Sequence, residues 1–310
     1  MKFIEYCYYH LKYKMRSVNG IKFKFPIKDF GEKYSSLEQE QLNLYIKTAI
    51  EEKRPLLAGK FGGSEMFAMR AAEFSIKKEK ACSQLCTCAG FFPQDARLLE
   101  RYCEIMKDVA SNLDILQIWD KPCEEYFLKK YCTKDKLHLC KGIANWTDDR
   151  KPWTMYLKNK KVLVIHPFAE SIKNQYLRKR EKIYEKNPDI LPEFELITLK
   201  AVQTIADEID SRFCTWFEAL DYMCSQIDQM DFDIALIGCG AYGLPLGNYV
   251  KKKQKIAIHI GGYLQLLFGI IGARWNTAPA VLNHKNEYWI RPSEDEIPKG
   301  ISKVKNGCYW

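Results

Sequence analysis

Glu65 follows a glycine pair, Gly62-Gly63, in the stretch LLAGKFGGSEMFAMR (56–70), where an apolar run meets a helical pattern. Glycine permits close approach of a ligand to bare backbone. A helix N-terminus attracts anions, and a carboxylate placed there can hold a metal that carries the anion's charge. The same residues also read as a tight turn followed by an acidic first-turn residue that suits the helix dipole. Other apolar runs end in similar chemistry. After VLVI comes His166-Pro167-Phe168, with Glu170 and Ser171 close behind. After DIALI comes Gly238-Cys239-Gly240-Ala241-Tyr242-Gly243, and after IAIHI comes Gly261-Gly262-Tyr263. Glycine-rich corners and a histidine at matching strand ends suit a phosphate-bearing ligand, and their convergence favours a functional Glu65.

The elements that position these corners are legible as alternating periods. Ser35 to Glu38 fits a capping box, after which Leu42, Tyr45, Ile46, Ala49 and Ile50 recur at helical spacing. Leu98, Tyr102, Ile105, Met106 and Val109 mark a second amphipathic helix. Phe213, Trp216, Phe217, Leu220, Met223, Cys224 and Ile227 form a third stripe, read as core. RPLLAGK, DILQIW, KKVLVI, FELITL, FDIALI and KIAIHI are short runs that read as strands, the last four rich in β-branched residues. Strands separated by helices predict an α/β fold, Rossmann-like, with a mainly parallel sheet and helices on both faces. In such sheets ligands bind beyond the carboxyl ends of the strands, where the glycine corners fall.

At 310 residues the chain can bury a full core, and 47% hydrophobic with 28% charged residues is an ordinary globular balance. No apolar run is long enough to span a bilayer, and the N-terminus has no secretory cleavage pattern. The twelve cysteines are scattered, which favours reduced, buried thiols and a cytoplasmic protein. Cys82, Cys86 and Cys88 cluster but lack a second pair at zinc-site spacing, so zinc is a minor reading. The net charge of +9 is uneven: residues 1–33 hold eight Lys or Arg and three acids, interleaved with aromatics. This segment, 1–35, stands apart from the domain expected over 36–310. It fits a solvated helix and an edge strand, IKFKFPIK, or peripheral contact with anionic lipid at the inner face of a membrane. No nucleic-acid motif accompanies the charge, and no nucleic-acid partner is expected.

GCGAYG also matches the dinucleotide fingerprint after a strand. The fingerprint expects an acid near the end of the next strand, and KIAIHIGG offers His259 instead. The corner Gly238, Gly240, Gly243 is therefore read as a phosphate or nucleotide contact, with an NAD-dependent enzyme as the lesser alternative.

GKFGGSE resembles the R-F-G-D-G-E-type loop of the GT-D glycosyltransferases, a Rossmann-like group with a D-x-E carboxylate motif and a divalent metal. VLVIHPFAESIKNQY, the long stretch from FDIALIGCGAYG to GARW, and the terminal GCYW are also similar to bacterial GT-D-like proteins of polysaccharide and glycoprotein synthesis. The resemblance spans roughly residues 37–310. It implies a glycosyltransferase that moves a sugar from a nucleotide-sugar donor to a glycan acceptor on lipid or protein. It also implies donor contacts at Gly62, Gly63, Ser64, Gly238, Gly240, Gly243, Gly261 and Gly262, and Mn or Mg at Glu65. One departure stands out: D-x-E falls on Gly63-Ser64-Glu65, so the first carboxylate is missing. Glu65 with donor oxygens and water could hold the metal, cations and backbone N–H groups could replace it, or activity could be lost. The last case would leave a non-catalytic sugar-nucleotide or glycan-binding subunit of a glycosylation complex.

Transfer needs stabilisation of the departing diphosphate and a base for the acceptor hydroxyl. Arg274 is the candidate cation, ahead of Arg178 and Arg180, which lie in the charge run LRKREK. His166 is the candidate base by position, against a role buttressing its turn, and Glu170 is the reserve.

Overall fold

The computed structural model describes residues 2–18, 34–119, 121–132, 137–144, 146, 151–304 and 307–310. The expected edge strand over 21–28 lies outside the described residues. The chain begins with α1 (Lys2–Val18), β1 (Tyr34–Ser36), α2 (Gln39–Glu51), β2 (Leu56–Gly59) and α3 (Gly63–Phe74). There follow α4 (Lys78–Ala89), α5 (Leu99–Asn112), β3 (Ile115–Gln117), α6 (Glu124–Tyr131) and β4 (Leu137–Cys140). The second half runs β5 (Lys161–His166), α7 (Ala169–Ile183), β6 (Glu195–Lys200), α8 (Trp216–Asp228), β7 (Ile234–Ile237), α9 (Gly243–Lys252) and β8 (Ile256–His259).

Eight strands form one sheet in the order β1-β4-β3-β2-β8-β7-β5-β6, and every pairing is parallel. The fold is thus α/β and Rossmann-like. The chain leaves β2 toward β3 and β4 on one side of the sheet and leaves β5 toward β6 on the other. β7 and β8 fill the space between, so a crevice opens where the winding reverses, at the carboxyl ends of the central strands. Registers such as Ala58↔Ile258 and Ile237↔His259 bring those ends level.

The strands read as continuous apolar runs because both faces are covered. Leu56 and Ala58 point into one core with α2 and α7, whereas Leu57 points into the other with α3, α5 and α9. The same alternation separates Val162 and Val164 from Leu163 and Ile165. The helix start expected at Ser35 falls later. Tyr34–Ser36 pairs with Leu137–Leu139 as β1, and Gln41 caps the helix by accepting from the Glu38 N–H at 3.1 Å. Two short strands, the edge strand β1 and its neighbour β4, and the cysteine-bearing helix α4 had no expected counterpart.

α1 is not a detached appendage. Tyr6 packs on Phe74 with ring centroids 5.4 Å apart, and Tyr9 meets Tyr126 at 5.5 Å. Lys12 pairs with buried Glu125 at 2.7 Å, and Lys2 reaches buried Glu73 at 3.6 Å. These contacts lie at the far end of α3 from Gly63, about 16 Å along the helix axis at 1.5 Å per residue. Among the described residues, no helix is long and apolar enough to cross a membrane.

Candidate functional site

A cleft of about 670 Å³ opens at the carboxyl edge of the sheet, over β2, β8, β7 and β5. The structure brings Gly62, Gly63, Ser64, Glu65, His166, Gly238, Gly240, Gly261, Gly262 and Arg274 together on its walls. Two expected residues are elsewhere. Glu170 is exposed in the first turn of α7, where its N–H donates to Glu296 at 3.0 Å. Gly243 is buried behind the wall, and a Cβ there would come within 2.3 Å of the His259 ring. Gly243 therefore lets α9 pack on β8 and is not a ligand contact. Arg178 is exposed on α7, and Arg180 bonds Glu181 at 3.0 Å, both on the solvated face.

The glycines do more wall-building than expected. Gly62 is extended, at φ −71° and ψ 163°, so no unusual backbone requires it. What requires it is the Glu65 carboxylate, because a Cβ on Gly62 would lie 2.0 Å from Glu65 Oε2. Gly238 lets its corner touch the next one, since its Cβ would meet the Gly261 carbonyl at 2.6 Å and His166 Cδ2 at 2.9 Å. Gly240 adopts φ +57°, and a Cβ there would meet the Ala89 carbonyl oxygen at 2.5 Å, while a Cβ on Gly262 would meet the Tyr309 ring at 2.4 Å. Gly63, by contrast, is exposed. A Cβ there would meet nothing nearer than Lys121 Cε at 4.0 Å. The N–H groups of Gly63 and Ser64, in the first turn of α3, have no acceptor among the described residues and are free for an anion.

Three cations line the cleft, and two of them, Lys60 and Lys121, were not singled out from the sequence. Lys60 continues β2, and its Nζ sits 4.6 Å from the Trp119 ring centroid and 5.3 Å from that of Tyr263. Lys121 Nζ lies 5.8 Å from the Trp119 ring centroid. Arg274 donates to the Tyr309 hydroxyl at 3.2 Å and lies over that ring. Its backbone is fixed by the C-terminal turn, with Ala273 N–H bonded to Trp310 and Arg274 N–H to Cys308. Among the described residues, none of the three has a carboxylate within ion-pair distance. Burial holds the Lys60 ammonium down to about 8, helped by Arg274 and opposed by Glu65.

Glu65 keeps part of its surface open to the cleft while the rest is enclosed. Burial raises its pKa, against its own backbone N–H and Lys60, which favour the charged form. His166 is buried, and its Nδ1 accepts from the Phe168 N–H at 3.0 Å. That bond leaves the proton of the neutral ring on Nε2, and burial pushes the ring down to about 3. A neutral ring in that tautomer donates a hydrogen bond from Nε2. Among the described residues, Gln265 Oε1 is buried on the cleft wall without a hydrogen-bond partner.

Against this geometry, the family model described as the GT-D fold-like domain matches residues 37–267. The chain belongs to the GT-D-like family. Its sheet, glycine corner and strand-end cleft are thus those of a glycosyltransferase-type fold. No curated protein and no solved structure matches the chain. Arg274, Tyr309 and Trp310 of this GT-D-like protein lie beyond the matched range and still complete the cleft.

A divalent metal at a D-x-E motif fits these residues poorly. Gly63 stands at the first acid position, and Glu65 folds back on Gly62 beside an ammonium group. Among the described residues, no group of three His, Cys, Asp or Glu side chains could hold a metal, Cys82 and Cys86 included. The third glycine of GCGAYG faces His259 and packs α9 on β8, the place a third glycine also takes in the dinucleotide fingerprint.

Proposed function

We propose that this GT-D-like protein transfers a sugar from a nucleotide-sugar donor to a glycan acceptor carried on lipid or protein. The observation that supports it most is the juxtaposition, in one strand-end cleft, of three cations with a single carboxylate, Glu65, and with no ion pair between them and an acid among the described residues. The cations and the free N–H groups of α3 suit a departing diphosphate, which leaves with the electron pair of the bond to the anomeric carbon. The acceptor hydroxyl oxygen forms the new bond to that carbon, and its proton passes to a carboxylate. Glu65 is the one carboxylate lining the cleft among the described residues, and its raised pKa suits a base. His166 serves by donating from Nε2 to a donor oxygen.

The surface of α1 supports a lipid-linked acceptor or a membrane-bound site of action. Its inner face docks on the domain, while Ile4, Tyr8, Leu11 and Met15 recur at helical spacing on the outer face and are exposed. With the basic excess of residues 1–33, that stripe suits peripheral contact with anionic lipid.

A second reading, a non-catalytic subunit that binds a sugar nucleotide or glycan, is favoured by glycine at position 63. Thermal shift with a panel of UDP-sugars, GDP-sugars and NAD, followed by donor hydrolysis and transfer assays, separates the readings. A nucleotide sugar that stabilises and is turned over supports the transferase. One that stabilises without turnover supports the binding subunit, and stabilisation by NAD alone overturns both.

A further inference from the structure

The residues of the cleft disagree with the metal that a D-x-E glycosyltransferase would use, and the disagreement has a pattern. We infer that Lys60, Lys121 and Arg274 take the place of the divalent ion, making this a metal-independent diphosphate site. The inference rests on the glycosyltransferase reading for its ligand, but its physical basis is independent of the sugar.

The charge balance is the first support. Among the described residues, the cleft carries three cations against one carboxylate, and both of its histidines are held neutral by burial. The resulting excess of about two positive charges matches a bridging diphosphate of about two negative charges. A divalent ion would add its charge to a cleft already positive, with Glu65 alone to bind it. Hard divalent ions take six or more oxygen ligands, and one carboxylate beside an ammonium is a weak start on that set.

Geometry is the second support. Lys60 and Lys121 approach the same indole, Trp119, from β2 and from the loop after β3, while Arg274 stands on Tyr309. The loop bearing Trp119 and Lys121 is fixed by Glu124, which accepts from the Lys121 N–H at 2.9 Å and from the Trp119 N–H at 3.3 Å. Gly261, at φ +63°, leaves room for Lys60, since a Cβ there would lie 3.3 Å from Lys60 Cε. Aromatic faces hold each cation without neutralising it, so the charges remain available to a ligand. A half-buried ammonium with no acid at ion-pair distance among the described residues is costly to keep, which is expected of a group whose partner arrives with the ligand.

Inorganic pyrophosphate is the probe, titrated calorimetrically in EDTA and again in excess Mn²⁺. Binding is expected in EDTA, with no gain from Mn²⁺. Lys60→Met and Arg274→Gln are each expected to weaken it roughly 10- to 100-fold, the loss of one charge-assisted contact. Folding of both variants is checked by their melting temperatures. Gly63→Asp, at a position with open space, is expected to weaken binding in EDTA and to make it depend on Mn²⁺. Binding by the wild type only in Mn²⁺, binding in neither condition, or wild-type affinity in folded Lys60→Met and Arg274→Gln would overturn the inference. If pyrophosphate behaves as expected and no nucleotide sugar is turned over, the site stands and the transferase reading falls. Turnover of a donor only with a divalent ion gives the reverse.

Discussion

The carboxylate of Glu65 occupies the space that a side chain on Gly62 would need, with Oε2 2.0 Å from the site of the missing Cβ. One residue thus sets the rotamer of the other. Gly62→Ala keeps an allowed backbone, because φ −71° and ψ 163° suit any residue. The methyl group must therefore move the Glu65 side chain and not the chain itself. The expected outcome is a folded protein with a melting temperature close to wild type and donor turnover reduced at least about tenfold, as for a misplaced catalytic group. Unchanged turnover in a steady-state assay would separate Glu65 from its present position.

Lys60 makes the site costly to the fold. Its folded-state pKa, held near 8 by burial, lies below the ordinary 10.5. The protonated form is therefore penalised in the native state, fully below about pH 8, and the penalty fades as pH rises toward 10.5. Lys60→Met is expected to raise stability at pH 7 by on the order of 1–3 kcal/mol, allowing for partial solvent screening. The gain should be nearly gone by about pH 10.5, where wild-type Lys60 is neutral in the native state and half protonated in the unfolded one. Urea unfolding at pH 7 and near pH 10.5 checks both the sign and the window.

Much of this was legible in the sequence, and what was missed has physical causes. The short apolar strands and amphipathic helices announced the sheet, because parallel strands buried on both faces leave strong apolar runs. The strand-end corners converged for the same reason: parallel strands share one carboxyl edge. β1 and β4 were missed because their short runs, YSS and LHLC, are broken by polar residues and hold no β-branched apolar residue. Lys60 was hidden in plain view, one residue after β2 and one before Phe61, at the end of the run RPLLAGK that read as a strand. Trp119 and Lys121 follow β3 in the same way, and the residue just past each strand was the signal available. The glycines were taken for phosphate contacts because sequence shows that a Cβ is absent and not what fills its space. At Gly62, Gly238, Gly240 and Gly262 the filler is the protein itself.

The outer stripe of α1 predicts a membrane preference without a role in donor binding, since its docking contacts lie at the far end of α3. Flotation with vesicles containing anionic phospholipid is expected to recover the full chain at low salt and less of it at moderate salt. Ile4→Glu with Leu11→Glu should abolish recovery while leaving pyrophosphate affinity unchanged. Both residues are exposed, so the fold should tolerate the change. Equal flotation of the double variant and the wild type would remove the lipid surface as the partner of this helix.

Glu65→Gln tests the account most directly, with turnover of whichever nucleotide sugar the wild type accepts as the readout. The substitution keeps the side chain's shape and removes its charge and basicity. The account predicts a melting temperature equal to or above wild type and turnover reduced by roughly 100-fold or more, the scale of one lost electrostatic or proton-transfer contact in the transition state. If Glu65 only complemented the dipole of α3, the loss would be about 0.3–1 kcal/mol of stability with catalysis intact. A Glu65→Gln protein that transfers sugar at the wild-type rate would contradict the assignment of this cleft's carboxylate to the chemistry.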